Sequence, residues 1–329
     1  MTTLAAFRRT LPRVFAFVLA ALPAAAHDFW IEPANFRPAP DARIGVELRV
    51  GERLVGDPVP RKAERIARFT CTTRAGVTDV AGIEDQSPAG LLRCTTTGLA
   101  WLAYESRPIG IELEAAKFEA YLAEEGLEHV IAARKERGES ALPGRERYRR
   151  SAKALLAVGE GDRAGFDRVL GLPLELVPAV DPSALRSGAA LDLVVLYEGK
   201  PLANALVGCR ARADVEHETR LRSDAAGRVR FAIAHGGEHL VRVVHMTREP
   251  KESGADWLST WGALGFDVLP ALAPKPAPPK PGADGPPVRT ASPATDGAGP
   301  RAEERAPARQ LVEDPRLAGL LAAAATDER

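Results

Sequence analysis

The chain is predicted to be mainly β with a helical insert, built as two β-sandwich-like domains. Three features predict this. Ile44, Val46, Leu48 and Val50 alternate with Arg43, Glu47 and Arg49, the period of two that turns one strand face into a core. Similar runs recur up to Ile111 and again after Pro173, where Leu191, Leu193, Val195 and Tyr197 alternate, as do Val229, Phe231 and Ile233. Tight-turn sequences, Glu198-Gly199-Lys200-Pro201 and Ser223-Asp224-Ala225-Ala226-Gly227, separate the later runs, as in a sandwich.

The organisation follows in order. Residues 1–26 read as a signal peptide: Arg8, Arg9 and Arg13 precede an apolar run from Val14 to Leu22, and Ala24 and Ala26 supply the small residues of a cleavage site. Residues 27–112 form the N-terminal β domain. Residues 113–172 are a helical insert and connector, in which Phe118, Tyr121 and Leu122 fall at helical spacing, Gly126 interrupts, and a second helical stretch ends at Gly138. The run Ala154 to Val158 suits either a strand or a buried helix. Residues 173–268 are the C-terminal β domain, and 269–329 a Pro/Ala-rich tail too poor in apolar surface to order itself.

Composition excludes several classes of function. Lysine plus arginine and aspartate plus glutamate each number 44, and losing three arginines with the signal leaves a formal net charge of −3, so nucleic acid is not an expected partner. After the signal no apolar run approaches the ~20 residues of a membrane span. Carboxylates are scattered, and neither a phosphate-binding glycine loop nor a Gly-x-Ser-x-Gly element occurs, so a hydrolase has little support. The expected location is periplasmic or secreted. In that oxidising setting Cys71 and Cys94, on neighbouring β-like segments, are expected to pair, leaving Cys209 as a buried free thiol or, alternatively, a metal ligand.

The chemistry centres on histidine. Cleavage after Ala26 makes His27 the first residue, whose α-amine and imidazole together offer a metal a two-nitrogen chelate; otherwise His27 merely begins the mature chain. His235 and His239 are four apart, but Gly236 and Gly237 between them argue for a turn, not a helical ligand pair. His239 and His245 share a strand face ~20 Å apart, too far for one ion. His245, near the end of the apolar run Leu240 to Val244, is the expected partner of His27, with a hydrogen-bonded structural role as the alternative. His129 and His217 read as surface residues. Trp257, Trp261 and Phe266 read as packing between the sandwich and the insert, with the two tryptophans at helical spacing.

The strings Ala26 to Ile31 (AHDFWI), Glu124 to Leu127 (EEGL), Arg145 to Gly159 (RERYRRSAKALLAVG), Glu198 to Leu202 (EGKPL), Val244 to Met246 (VHM) and Asp256 to Phe266 (DWLSTWGALGF) resemble a large family of exported bacterial proteins. That family is catalogued as a domain of unknown function, and many members carry the label of a nickel-transport (NikM-type) periplasmic component. The resemblance covers nearly all of 27–268 and implies that the second β domain is immunoglobulin-like or prealbumin-like. An amino-terminal histidine meeting a second imidazole also resembles a copper-binding histidine brace. The expected function is a non-catalytic periplasmic binder of copper, nickel or cobalt through His27 and His245, passing the ion to an inner-membrane transporter. A metal-free module that binds or adheres to the cell envelope is the alternative, and a copper monooxygenase is a third.

Overall fold

The structure, a computed structural model, describes residues 27–272; the predicted signal peptide and the tail from 273 onward lie outside the described residues. In chain order β1 (Asp28–Pro33), β2 (Arg43–Glu52), β3 (Val55–Val59), β4 (Ile66–Thr73), β5 (Gly76–Asp79), β6 (Gly90–Arg93), β7 (Gly98–Ser106) and β8 (Ile109–Leu113) precede the helices α1 (Ala115–Glu124) and α2 (Glu128–Glu136). Then come β9 (Gly144–Val158), β10 (Leu174–Pro178), β11 (Ala190–Tyr197), β12 (Lys200–Pro201), β13 (Leu206–Ala211), β14 (Asp214–Arg222), β15 (Arg228–Ala232), β16 (Gly237–Arg248) and β17 (Trp257–Val268). The protein is mainly β, and among the described residues no helix is long and apolar enough to cross a membrane.

One nine-stranded sheet runs through both halves in the order β14-β13-β16-β17-β9-β7-β4-β5, with β8 also paired to β9. Its two faces carry different layers. A smaller sheet, β1-β2-β3 with β6 on β2, covers one face, burying Ile31, Val46 and Leu48 against Leu102, Ala154, Leu156 and Leu240. The helices continue that layer, packing Phe118, Leu122 and Val130 against Val244, Met246, Trp257 and Trp261. The opposite face is covered by β10-β11-β12 with β15, whose Leu176, Leu191, Leu193 and Phe231 meet Leu155, Val241, Val243, Leu264 and Phe266. Each fully buried aliphatic or aromatic side chain contributes about 1.5–3 kcal/mol by leaving water.

The structure refines two expectations. Residues 144–158, within the span expected to be insert and connector, form the long central strand β9, so Ala154 to Val158 take the strand alternative; β9 pairs antiparallel with β7 and parallel with β17. From Arg150 to Val158 every residue of β9 is buried, so both faces are in contact and the alternation that marks a half-exposed strand is missing. Trp257 and Trp261 do pack against the insert, but from strand β17 rather than from a helix.

The helical pair α1–α2 sits where two glycines allow it. At Gly144 an added Cβ would lie 2.2 Å from the Phe118 ring, so α1 rests directly on the backbone of β9. Gly126 takes φ +67° between the helices, a left-handed turn at which a side chain would also strike Leu206.

Candidate functional site

The two predicted metal ligands are held on different faces of the central sheet. His27 enters β1, and its carbonyl accepts a hydrogen bond from Arg150 Nη1 at 3.1 Å. Its Nδ1 lies 3.2 Å from Glu52 Oε1 without forming a hydrogen bond to it. The next residue, Asp28, reaches Arg242 Nε at 3.2 Å; Arg242 also pairs with Glu125 and Glu218, each at 2.7 Å. Burial raises the Asp28 carboxyl above its ordinary range, with Arg242 pulling the other way. Arg242 therefore belongs to the face bearing β1 and the helices, as do Leu240, Val244 and Met246.

His245 has the opposite parity, that of Val241 and Val243, which pack toward β10, β11 and β15. Its ring meets Tyr197 at a centroid distance of 4.5 Å, edge to face. His27 and His245 are thus not brought together. The imidazole beside His245 is that of His129, on α2, with ring centroids 5.5 Å apart and planes 22° apart. The pairing of β13 with β16 ends at Val207↔Val243, which leaves the β16 edge open beyond that point. His129 uses this gap, its Nε2–H donating to Met246 O at 2.9 Å. Burial, then the neighbouring His129, pushes the His245 pKa down to about 4. His129 is exposed on α2, in keeping with its sequence setting, but no local pattern joins it to a strand more than a hundred residues later.

The other histidines have simpler settings. His239 is buried, stacks on Phe266 and bonds through Nδ1 to Gly237 O at 2.9 Å. His217 is exposed and pairs with Asp214 at 2.8 Å, and His235 lies 3.7 Å from the same carboxylate. Among the described residues no group of three or more histidine, cysteine, aspartate or glutamate side chains is arranged to hold a metal. Cys71, Cys94 and Cys209 are all buried free thiols, so the expected Cys71–Cys94 bridge is not formed in this structure. Burial, then Cys94, pushes the Cys71 thiol up to about 12.

The two ends of the central sheet contrast. At one end β14 carries Asp214, Glu216, Glu218, Arg220 and Arg222, the kind of charged edge that resists further pairing. At the other, β5 is exposed at every residue, with Val77 64% exposed and no charge before Asp79. Val80 N donates to Phe69 O, so the ladder bonds to β4 fall at alternate residues, and Val77 and Asp79 turn their N–H and C=O groups to the open side.

Residues 24–247 match the family model described as Domain of unknown function (DUF4198). The chain belongs to that family. Its description names neither a metal nor a transport role. No curated protein matches the chain. Among solved structures it is similar to the D0-D1 domain of intimin (11% identity, 73% of this chain and 98% of that one, TM-score 0.18). It is also similar to fibronectin(III)-like modules of CbhA from Clostridium thermocellum (8% identity, 73% and 94%, TM-score 0.19). A third is the adhesin InvE of Yersinia pseudotuberculosis (14% identity, 74% and 60%, TM-score 0.18).

Proposed function

We propose that the protein is an exported, non-catalytic recognition module of the cell envelope that takes an extended polypeptide segment of a partner onto the open edge of β5. Among the described residues no strand pairs with the outer side of β5, and that open edge carries this reading. A strand that presents free backbone donors and acceptors beside an apolar side chain is a template for strand addition, in which main-chain bonds give affinity and the side-chain pocket gives selectivity. The contrast with the charged edge at β14 supports it. Export rests on the signal-like residues 1–26, and with it goes the pairing of Cys71 with Cys94 in an oxidising compartment.

A photo-crosslinking residue at Val77 of the exported protein, irradiated in its own cells, tests the reading. Adducts with envelope polypeptides are expected, and they should disappear when Asp79→Pro removes an outward N–H without touching a ladder bond. The same crosslinker at Leu142, which is 55% exposed but off any sheet edge, is the control. Equal labelling from both positions, or none from Val77, overturns the proposal.

A second reading, a transition-metal carrier for copper, nickel or cobalt, is favoured by a separate observation, the His129–His245 pair.

A further inference from the structure

We propose that His129 and His245 form a two-imidazole site for a borderline transition-metal ion such as Cu(II), Ni(II) or Zn(II), at the open end of β16. This goes beyond the strand-addition reading and does not rest on it.

The distance between the rings is the first argument. The two rings are offset-stacked, 5.5 Å apart between centroids and 22° between planes, which leaves room for an ion at their edges. Two imidazoles that share one ion at the usual metal–nitrogen distance of about 2.0–2.1 Å hold their centroids about 5–6 Å apart. The second argument is the orientation of His129. A carbonyl oxygen only accepts, so the bond to Met246 O fixes the proton on Nε2 and leaves the Nδ1 lone pair free. Ligating histidines are commonly held in this way, with the second ring nitrogen donating to a backbone carbonyl. His245 makes no hydrogen bond among the described residues, although its position between Tyr197 and His129 is half-buried. Its ring nitrogens are not sealed in the interior, so they are open to an incoming ligand.

The surroundings define what could bind. Tyr197 closes one side of the His245 ring, and His129 is exposed on α2. The protein thus supplies two nitrogen donors, and the remaining positions of the ion are left to water or to a donor from outside. Neutral imidazole suits copper, nickel and zinc, and disfavours magnesium and calcium.

The test is calorimetric titration of the full exported chain with Cu(II), Ni(II) and Zn(II), in parallel with His27→Ala, His129→Ala and His245→Ala. Ring-nitrogen NMR of the zinc-loaded protein accompanies it. Each of His129→Ala and His245→Ala should weaken one and the same site roughly tenfold or more, with His27→Ala leaving that site intact. On loading, the Nδ1 resonance of His129 should shift while its Nε2–H stays bonded. If His245→Ala fails to fold, the exposed His129→Ala and the NMR shifts carry the test alone. Absence of binding, binding indifferent to the substitution at His129, or loss of all binding in His27→Ala each overturns the proposal. Crosslinking at Val77 in the presence of a chelator separates this outcome from that of the strand-addition reading.

Discussion

Glu146 shows how single buried charges set the chemistry of this interior. It lies on β9 under α1, 1% exposed, with Oε1 accepting from Ser259 Oγ and, at 3.4 Å, from Tyr121 OH, while Oε2 has no partner among the described residues. Burial pushes its pKa from 4.5 up to about 7, against the smaller opposing pull of those hydrogen bonds. The folded protein therefore holds this proton more tightly than the unfolded chain. Its contribution to stability is fully present below pH 4.5 and is lost as pH rises through about 7. Glu146→Gln keeps the shape without the charge, so its stability should match the parent near pH 4 and exceed it by up to about 3 kcal/mol at pH 8. Urea unfolding at the two pH values measures this; equal stability of the two proteins at pH 8 would show that the carboxylate is solvated. Arg150, four residues along and 5% exposed, is the matching cation, sandwiched among Trp261, Tyr148 and Phe29 at 4.7, 5.2 and 5.7 Å. Aromatic faces partly replace the water that burial removes from it.

At the scale of elements, the helical pair depends on backbone that comes close to it. Gly144→Ala would force a methyl into the Phe118 ring and should cost about 1–3 kcal/mol as α1 is lifted from β9. Gly110→Ala on the neighbouring β8 meets nothing within 4 Å and serves as the control, with stability unchanged or slightly raised. Denaturation midpoints of the two variants compare them, and a Gly144→Ala protein as stable as Gly110→Ala would remove α1 from that contact. Legibility in the sequence follows the same geometry. β11 and β15 could be read because they bury alternate residues, β2 because Ile44, Val46 and Leu48 are buried on one face, and α1 because Phe118, Tyr121 and Leu122 share one face. β9 could not, since a strand covered on both sides has no alternation to show. The Trp257–Trp261 spacing of four fits one helix face and one strand face alike, so only the neighbours decide. At the site, His245 was legible as an imidazole in an apolar strand, whereas its companion depends on where a distant helix folds back.

Across the whole molecule the question is whether two sandwiches behave as one. Two sandwich domains joined by a linker would melt separately, each with its own core. Here the pairing Trp257↔Glu146 to Gly265↔Ala154 makes β9 and β17 neighbours in one sheet. One core cluster then takes Leu99, Trp101, Leu155 and Ala157 from the first half and Leu264, Phe266 and Val268 from the second. Melting either half alone would strip those side chains of partners and break the parallel ladder, so neither has a low-cost way to unfold first. A single transition is expected, with the calorimetric and van't Hoff enthalpies equal and the near-UV signal of the tryptophans tracking the far-UV signal of the strands. Leu155→Ala, at this junction, should lower that one transition by about 2–5 kcal/mol without splitting it. Two resolved transitions in the parent, or a Leu155→Ala variant that loses only the first-half signal, would mean that the junction between β9 and β17 does not couple the halves.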